Sequence, residues 1–372
     1  MMKEEDQRLI GFDALRFFMV LLIIIFHASI TFMEFAPQYW YVLDEHKSLL
    51  FTILVVFLDG FPITILFFLA GYFSKPSFEK HGLRSFLLGK MKHIGIPWLL
   101  GVLFVAPFFS YLTYQSYDLP EISAWEFISK MFFGPFYQQA HYWFLGVLFF
   151  LFLIYSLFAK KENKRPEQEQ SKSPIFFIII TWLISTAAYY LSTLIKNSDT
   201  WVNIGFVIYF QQSRLIGYIM AFLLGVYAYG KGWYRKDNWK PNWIVWGTIS
   251  VNIVIFSLFW SIMIKWSFNE TINKIMNAIL YNTIATALTL FLTGLFHRFQ
   301  NKFGKIISLF LPYSYGIYWL HLIVLTIILK SIRPINIIGV IKWVLSIILT
   351  LIICQIISKY VISQTKHKLF KK

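Results

Sequence analysis

Charge is what this 372-residue chain has least of: 14% of its residues are Asp, Glu, Lys or Arg, against about 25% in a soluble protein. In their place stand 58% hydrophobic and 20% aromatic residues, with a mean hydropathy of +0.60. A water-soluble fold cannot leave that much Phe, Ile and Leu wetted, so the two or three soluble domains that the length alone suggests are excluded. Cysteine is almost missing. Cys354 stands alone in an apolar run, which excludes a disulfide framework and a cysteine-based metal site. Acids are scarce beside bases, 18 against 34, for a net charge of +16. The bases lie between apolar runs rather than on a polar surface, so membrane topology accounts for them and no nucleic-acid partner is expected. There is no Gly-rich phosphate loop, no HExxH and no GxSxG. The opening MMKEEDQRLI has no small-residue cleavage pattern, so the first helix is expected to be retained.

What is present is a series of apolar runs, each near the 20 or so residues that a helix needs to cross about 30 Å of hydrocarbon. They fall near residues 11 to 33, 50 to 73, 94 to 114, 142 to 159, 175 to 195, 206 to 230, 243 to 264, 278 to 296, 306 to 329 and 335 to 357. Pro174, Pro241 and Pro334 precede three of them, where a helix can begin but not easily continue. The expected fold is an all-α polytopic membrane bundle of about ten transmembrane helices, residues 1–372 forming one unit with no separate soluble domain. The polar stretch 160 to 173 is expected to be a mobile loop. With the N-terminus inside, 24 Lys and Arg fall on inner segments and 7 on outer ones, while acids divide evenly. That bias belongs to the bases, as the positive-inside rule requires, and places both termini in the cytoplasm of a bacterial cell membrane.

Ionisable groups inside spans cost at least about 2.5 to 3.5 kcal/mol at the helix centre, so each needs a partner or a task. Arg16 and His27 are eleven residues apart, which puts them about 16 Å apart on nearly the same face of the first helix. Asp13 is placed to pair with Arg16 at i, i+3. His27, His321 and Asp59 enter from three helices and reach similar depths in the outer half, which points to a common polar cavity as readily as to packing residues. His141, Tyr142 and Trp143 stand at the outer mouth of the fourth span, where interfacial belt residues are the ordinary expectation. Lys90, Lys92 and His93 precede the third span, where a helix N-terminus and several cations would suit phosphate, although the positive-inside bias explains any single lysine. Arg214 opens the sixth span. Lys342 falls at the edge of the tenth. Gly71, Gly225 and Gly316 are expected to be close-packing points between helices.

Five separated motifs then carry a resemblance. FDALRFFMVLLIIIFHASI (Arg16, then His27), AGYF (70 to 73), KMKHIGIP (Lys90, His93, Pro97), WFL (Trp143 to Leu145) and SYGIYWLH (Ser314, Tyr315, Tyr318, His321) are similar, in order, to the signatures of the acyltransferase-3 family of bacterial membrane acyltransferases. HYWFLG and HIGIPW look most like the branch that includes periplasmic glucan succinyltransferases. The chain carries Lys90 and His93 where the family pattern has Arg, and neither makes the bidentate phosphate contact that Arg does. The resemblance implies transfer of an acyl group, acetyl or succinyl, from cytoplasmic acyl-CoA to a hydroxyl of a cell-envelope carbohydrate. It implies no bound cofactor or metal and three partners: the lipid bilayer, acyl-CoA and a carbohydrate acceptor. His27, His321 and Asp59 are the implied catalytic residues, and Arg16, Lys90, Lys92 and His93 the CoA-phosphate contacts. His141, Trp143, Arg214 and Tyr318 are the implied acceptor contacts. A polytopic transporter of a saccharide or other solute, or an inactive accessory subunit of an envelope-polymer complex, is the alternative.

Overall fold

The apolar runs become helices because a chain in hydrocarbon must pair its own backbone amides, and a helix does so within one segment. The computed structural model describes residues 10–37, 39–117, 119–159, 174–235, 237–302 and 309–362. The expected loop over 160 to 173 and both chain ends lie outside the described residues. Helix α1 spans Ile10–Ile30, α2 Leu49–Leu58 and α3 Pro62–Lys90. A widened π-type turn, Met91–Gly95, leads into α4 (Ile96–Leu100), and a second, Gly101–Val105, into α5 (Ala106–Gln115). Then come α6 (Ala124–Lys130), a 3-10 turn (Ala140–Tyr142), α7 (Trp143–Phe158), α8 (Ile175–Ile195), and an antiparallel hairpin of β1 (Trp201–Ile204) and β2 (Ile208–Gln211). Helices α9 (Leu215–Gly230), α10 (Trp243–Phe259), α11 (Glu270–Arg298), α12 (Ser314–Ile332) and α13 (Gly339–Ile357) complete the chain.

Among the described residues, eight helical stretches are long and apolar enough to cross a membrane, and α9, at 16 residues, is a shorter apolar helix. The protein is a multi-pass membrane helical bundle. Its helices are dressed for lipid: α10 buries Ser250 near its middle while Ile244, Val251, Ile255 and Phe259 face outward, the reverse of a helix on a water-soluble protein. Ends are capped locally. Ser48, Asn242 and Asn269 each accept a hydrogen bond from a first-turn amide, satisfying donors that a helix start leaves unpaired. Helix α8 begins directly after Pro174, and α10 two residues after Pro241.

Two expected boundaries differ. The second predicted span is split at 59–61 between α2 and α3, and the third continues from α3 to Gln115, with the expected inner loop replaced by two helical arms meeting at Gly82, whose φ of 72° a helix cannot hold. The predicted sixth span loses residues 206 to 211 to the β1–β2 hairpin and 212 to 214 to the turn that follows it. Gly205 and Phe206 both take positive φ there, and the Asn203 side chain accepts from the Phe206 amide, closing a turn that bars helix.

The chain divides into two compact units. The first comprises the residues up to Arg16, Gly60–Ile96 and Phe144–Phe303; the second, Phe17–Asp59, Pro97–Trp143 and Gly304–Lys372. In the first unit α3 and α9 meet backbone to backbone. A methyl group on Gly71 would lie 1.9 Å from the Phe222 carbonyl oxygen, and one on Gly225 2.0 Å from that of Phe68, so only glycine permits the crossing. Phe12, Tyr72 and Tyr234 pack edge to face beside it, at 5.2 and 4.9 Å between centroids. In the second unit Phe109, Leu112 and Leu322 form a core with Trp40 and Tyr41 packed on it.

Candidate active site

The second unit gathers three histidines. His27 lies in the last turn of α1, His321 in the first half of α12, and His141 in the 3-10 turn before α7. His27 Nδ1 is 3.0 Å from His321 Nε2, with the rings stacked at 5.2 Å between centroids. The His141 ring lies edge-on to His321 at 4.6 Å. The equal depth read from the sequence for His27 and His321 is thus a direct contact.

The proton positions follow from what the partners can accept. The Tyr318 carbonyl takes only a donor, so His321 Nδ1 carries hydrogen toward it, and in a neutral ring Nε2 then presents its lone pair. His27 must therefore donate from Nδ1, which leaves the lone pair of His27 on Nε2. His141 Nε2 likewise donates to the Trp319 carbonyl at 3.1 Å, leaving Nδ1 buried as an acceptor with no hydrogen-bond partner among the described residues. His321 is fully buried and His141 nearly so, whereas His27 is half-buried: one imidazole of the three can be reached.

The framework around these rings is built from backbone carbonyls and indoles. Tyr142, fully buried, donates from its hydroxyl to the Trp319 carbonyl at 2.9 Å, and Tyr318 donates to the His141 carbonyl at 2.6 Å. Trp319 Nε1 donates to the Pro97 carbonyl and Trp98 Nε1 to Gln139, tying α4 to α12 and to the 3-10 turn. Gly101 lets the Tyr142 ring approach, since a methyl there would come within 2.6 Å of it. The Trp40 ring stacks on His27 at 5.8 Å, and Trp343 Nε1 donates to Ser29, two residues beyond His27. Nothing in the chain marks Trp40 or Trp343 beforehand, because Trp40 lies in the connection after α1 and Trp343 is 314 residues from Ser29 in sequence.

Several expected residues lie elsewhere or are otherwise engaged. Asp59 caps α2 at the point where the second predicted span breaks. Tyr318 is buried, and its hydroxyl donates to the His141 carbonyl. Tyr142 and His141 are interior and not interfacial, and Trp143 is half-buried at the start of α7.

Arg16, Lys90, Lys92, His93 and Arg214 belong to the first unit. Arg16 pairs with Asp13 at 3.2 Å, as expected, and lies over the Phe73 ring at 5.3 Å. Lys90 is held over Phe152 at 4.1 Å and Phe86 at 5.0 Å, while Lys92 and His93 are exposed. These three sit within a continuous helical path and not at a helix start, so the N-terminal dipole expected to help them hold phosphate is not there. Arg214 caps α9, pairs with Asp199 at 3.5 Å, lies over Tyr281 at 5.0 Å, and lines a cavity of about 30 Å³ with Ser185 and Asn282, room for one water. Among the described residues, no group of three or more His, Cys, Asp or Glu is placed to hold a metal ion.

Comparison with known proteins bears on this constellation. The acyltransferase-3 family model, described as an acyltransferase domain, matches residues 9–359. The chain belongs to the acyltransferase-3 family. Among curated proteins this family member is similar to glucans biosynthesis protein C of Escherichia coli (strain SMS-3-5 / SECEC), 30% identical over 154 residues that cover 38% of this chain and 36% of that protein. It is also similar to the protein of the same name from Salmonella paratyphi B, 24% identical over 225 residues, 58% of this chain and 57% of that protein. The matches thus span from about a third to a little over half of those relatives' length. No solved structure matches the chain.

Proposed function

We propose that this membrane protein is an O-acyltransferase that moves an acyl group, acetyl or succinyl, from acyl-CoA at the cytoplasmic face to a hydroxyl of an extracytoplasmic carbohydrate. The observation that carries the proposal is the His27–His321 pair, which leaves a lone pair on Nε2 of the one accessible histidine within a chain of an acyltransferase family. An acceptor hydroxyl gives its proton to His27 Nε2 as its oxygen bonds to the thioester carbonyl carbon. The carbon–sulfur bond then breaks, and the CoA thiolate leaves with the proton that His27 held. His321 steadies the imidazolium through the 3.0 Å hydrogen bond, and the Tyr318 carbonyl fixes the His321 tautomer that makes this possible. Arg16, Lys90, Lys92 and His93 are proposed to hold the CoA phosphates from the cytoplasmic side, and the partners are the bilayer, acyl-CoA and the glycan. Names of the relatives, which speak of glucan biosynthesis, support a glucan-like acceptor.

The test is release of CoA from acetyl-CoA and succinyl-CoA in proteoliposomes, with and without a glucan acceptor. Acyl ester on the glucan together with free CoA is expected. Movement of saccharide without CoA release would instead make the protein a carrier.

A further inference from the structure

Lys342 is the charge that the catalytic reading leaves unused, and it is 2% exposed on α13. Its Nζ donates to Asp44 at 2.8 Å and to the Arg333 carbonyl at 2.8 Å, and Asp44 itself is 4% exposed. The other Asp44 oxygen accepts from the His46 amide at 3.0 Å and from His46 Nδ1 at 2.8 Å. A buried ion pair is retained at some cost in desolvation and asks for a role. Here it forms a wall of a polar cavity of about 360 Å³, which Glu45, Arg333 and Asn336 also line. That volume is within the usual range of about 300 to 1,000 Å³ for small-ligand sites.

The unspent hydrogen-bonding groups decide what would fit. Asp44 is consumed by its partners, but the side chains of Glu45, Arg333 and Asn336 make no hydrogen bond or ion pair among the described residues. They offer a carboxylate acceptor, a forked cationic donor and an amide able to do both, with His46 Nε2 beside them. Donors and acceptors side by side match vicinal hydroxyls, each of which gives one hydrogen bond and takes another. A lone anion would meet Glu45, and Pro334 and Ile335 supply an apolar face beside these polar groups, as the face of a sugar ring requires. The cavity also lies at the end of α1 that bears His27. The Asp44 amide donates to the Thr31 carbonyl, Thr31 Oγ1 accepts from Trp40 Nε1, and Trp40 stacks on His27.

We infer that this cavity is a saccharide subsite, which binds a hexose-sized, polyhydroxylated ring of the acceptor and holds the chain so that a neighbouring hydroxyl reaches His27. The inference rests on the proposed carbohydrate acceptor. It names where the ring outside the reacting position sits.

The test is calorimetric titration of the full-length protein in lipid nanodiscs with a soluble glucan oligosaccharide, no acyl donor being present. Saturable binding is expected, weakened roughly tenfold or more by Arg333→Ala and comparably by Asn336→Ala, both exposed positions. Ile338→Ser, on the same connection but outside the cavity lining, is expected to bind as the wild type does. Absence of binding by the wild-type protein overturns the subsite, as does glucan affinity indifferent to both Arg333→Ala and Asn336→Ala. Because binding is read without donor, a protein that binds glucan through Arg333 yet never consumes acyl-CoA would refute the proposed function and leave the subsite standing.

Discussion

Replacing Lys342 by Met keeps its length and removes its charge. The ammonium and the Asp44 carboxylate are 2.8 Å apart with side chains 2% and 3% exposed, so the substitution strands a carboxylate that only His46 still serves. Losing one member of so buried a pair costs about 3–5 kcal/mol, mostly the penalty of an uncompensated charge. Asp44→Leu strands the ammonium against the Arg333 carbonyl and is expected to cost a similar amount. Removing both together should cost far less than the two separately, because neither charge is then left behind. A double-mutant cycle, read by unfolding in mixed detergent micelles, should give a coupling of about 3 kcal/mol or more. Additivity within about 0.5 kcal/mol would refute the ion-pair account and, with it, the anchoring of the 31–48 connection to α13.

Acid should loosen the same anchor. Burial alone would raise the Asp44 carboxyl, but hydrogen bonds from Lys342 and His46 outweigh it and hold it below the usual carboxylate range. Its contribution is therefore full above an unfolded value near pH 3.9 and is lost as pH falls through the lower folded value, a decline that Asp44→Asn should remove from a stability-against-pH series. Gly71→Ala should lower folded yield sharply, since its methyl would enter the Phe222 carbonyl and backbone has to move; yield near wild type, measured by size-exclusion chromatography, would argue against the close α3–α9 crossing. Lys90→Ala with His93→Ala should raise the apparent KM for acyl-CoA about tenfold or more, and an unchanged KM would remove both from the donor site.

Much of the fold could be read from the chain because lipid imposes a simple rule, that a spanning helix needs an unbroken apolar run, and Pro174 and Pro241 mark starts that the helices keep. Missing from that rule were local backbone events. Gly82 breaks a helix without ending it, and the turn at Gly205 and Phe206 converts a predicted span into a hairpin, neither of which alters the apolar count. For the site, depth along a helix was enough to bring His27 and His321 together. It could not say that His141 closes on them from a 3-10 turn, nor that Asp59 falls at a break between two helices. Lys342 was visible as a charge at a span edge, but its partner is 298 residues away in sequence and only the fold pairs them.

The central claim is that Nε2 of His27 takes the acceptor proton. It is tested most directly by the rate of acyl transfer from acyl-CoA to glucan in proteoliposomes containing His27→Ala protein at wild-type folded yield. A loss of at least about 10²-fold is expected for removal of a general base, with Ala leaving no group to replace it. Transfer at a rate close to wild type would contradict the account.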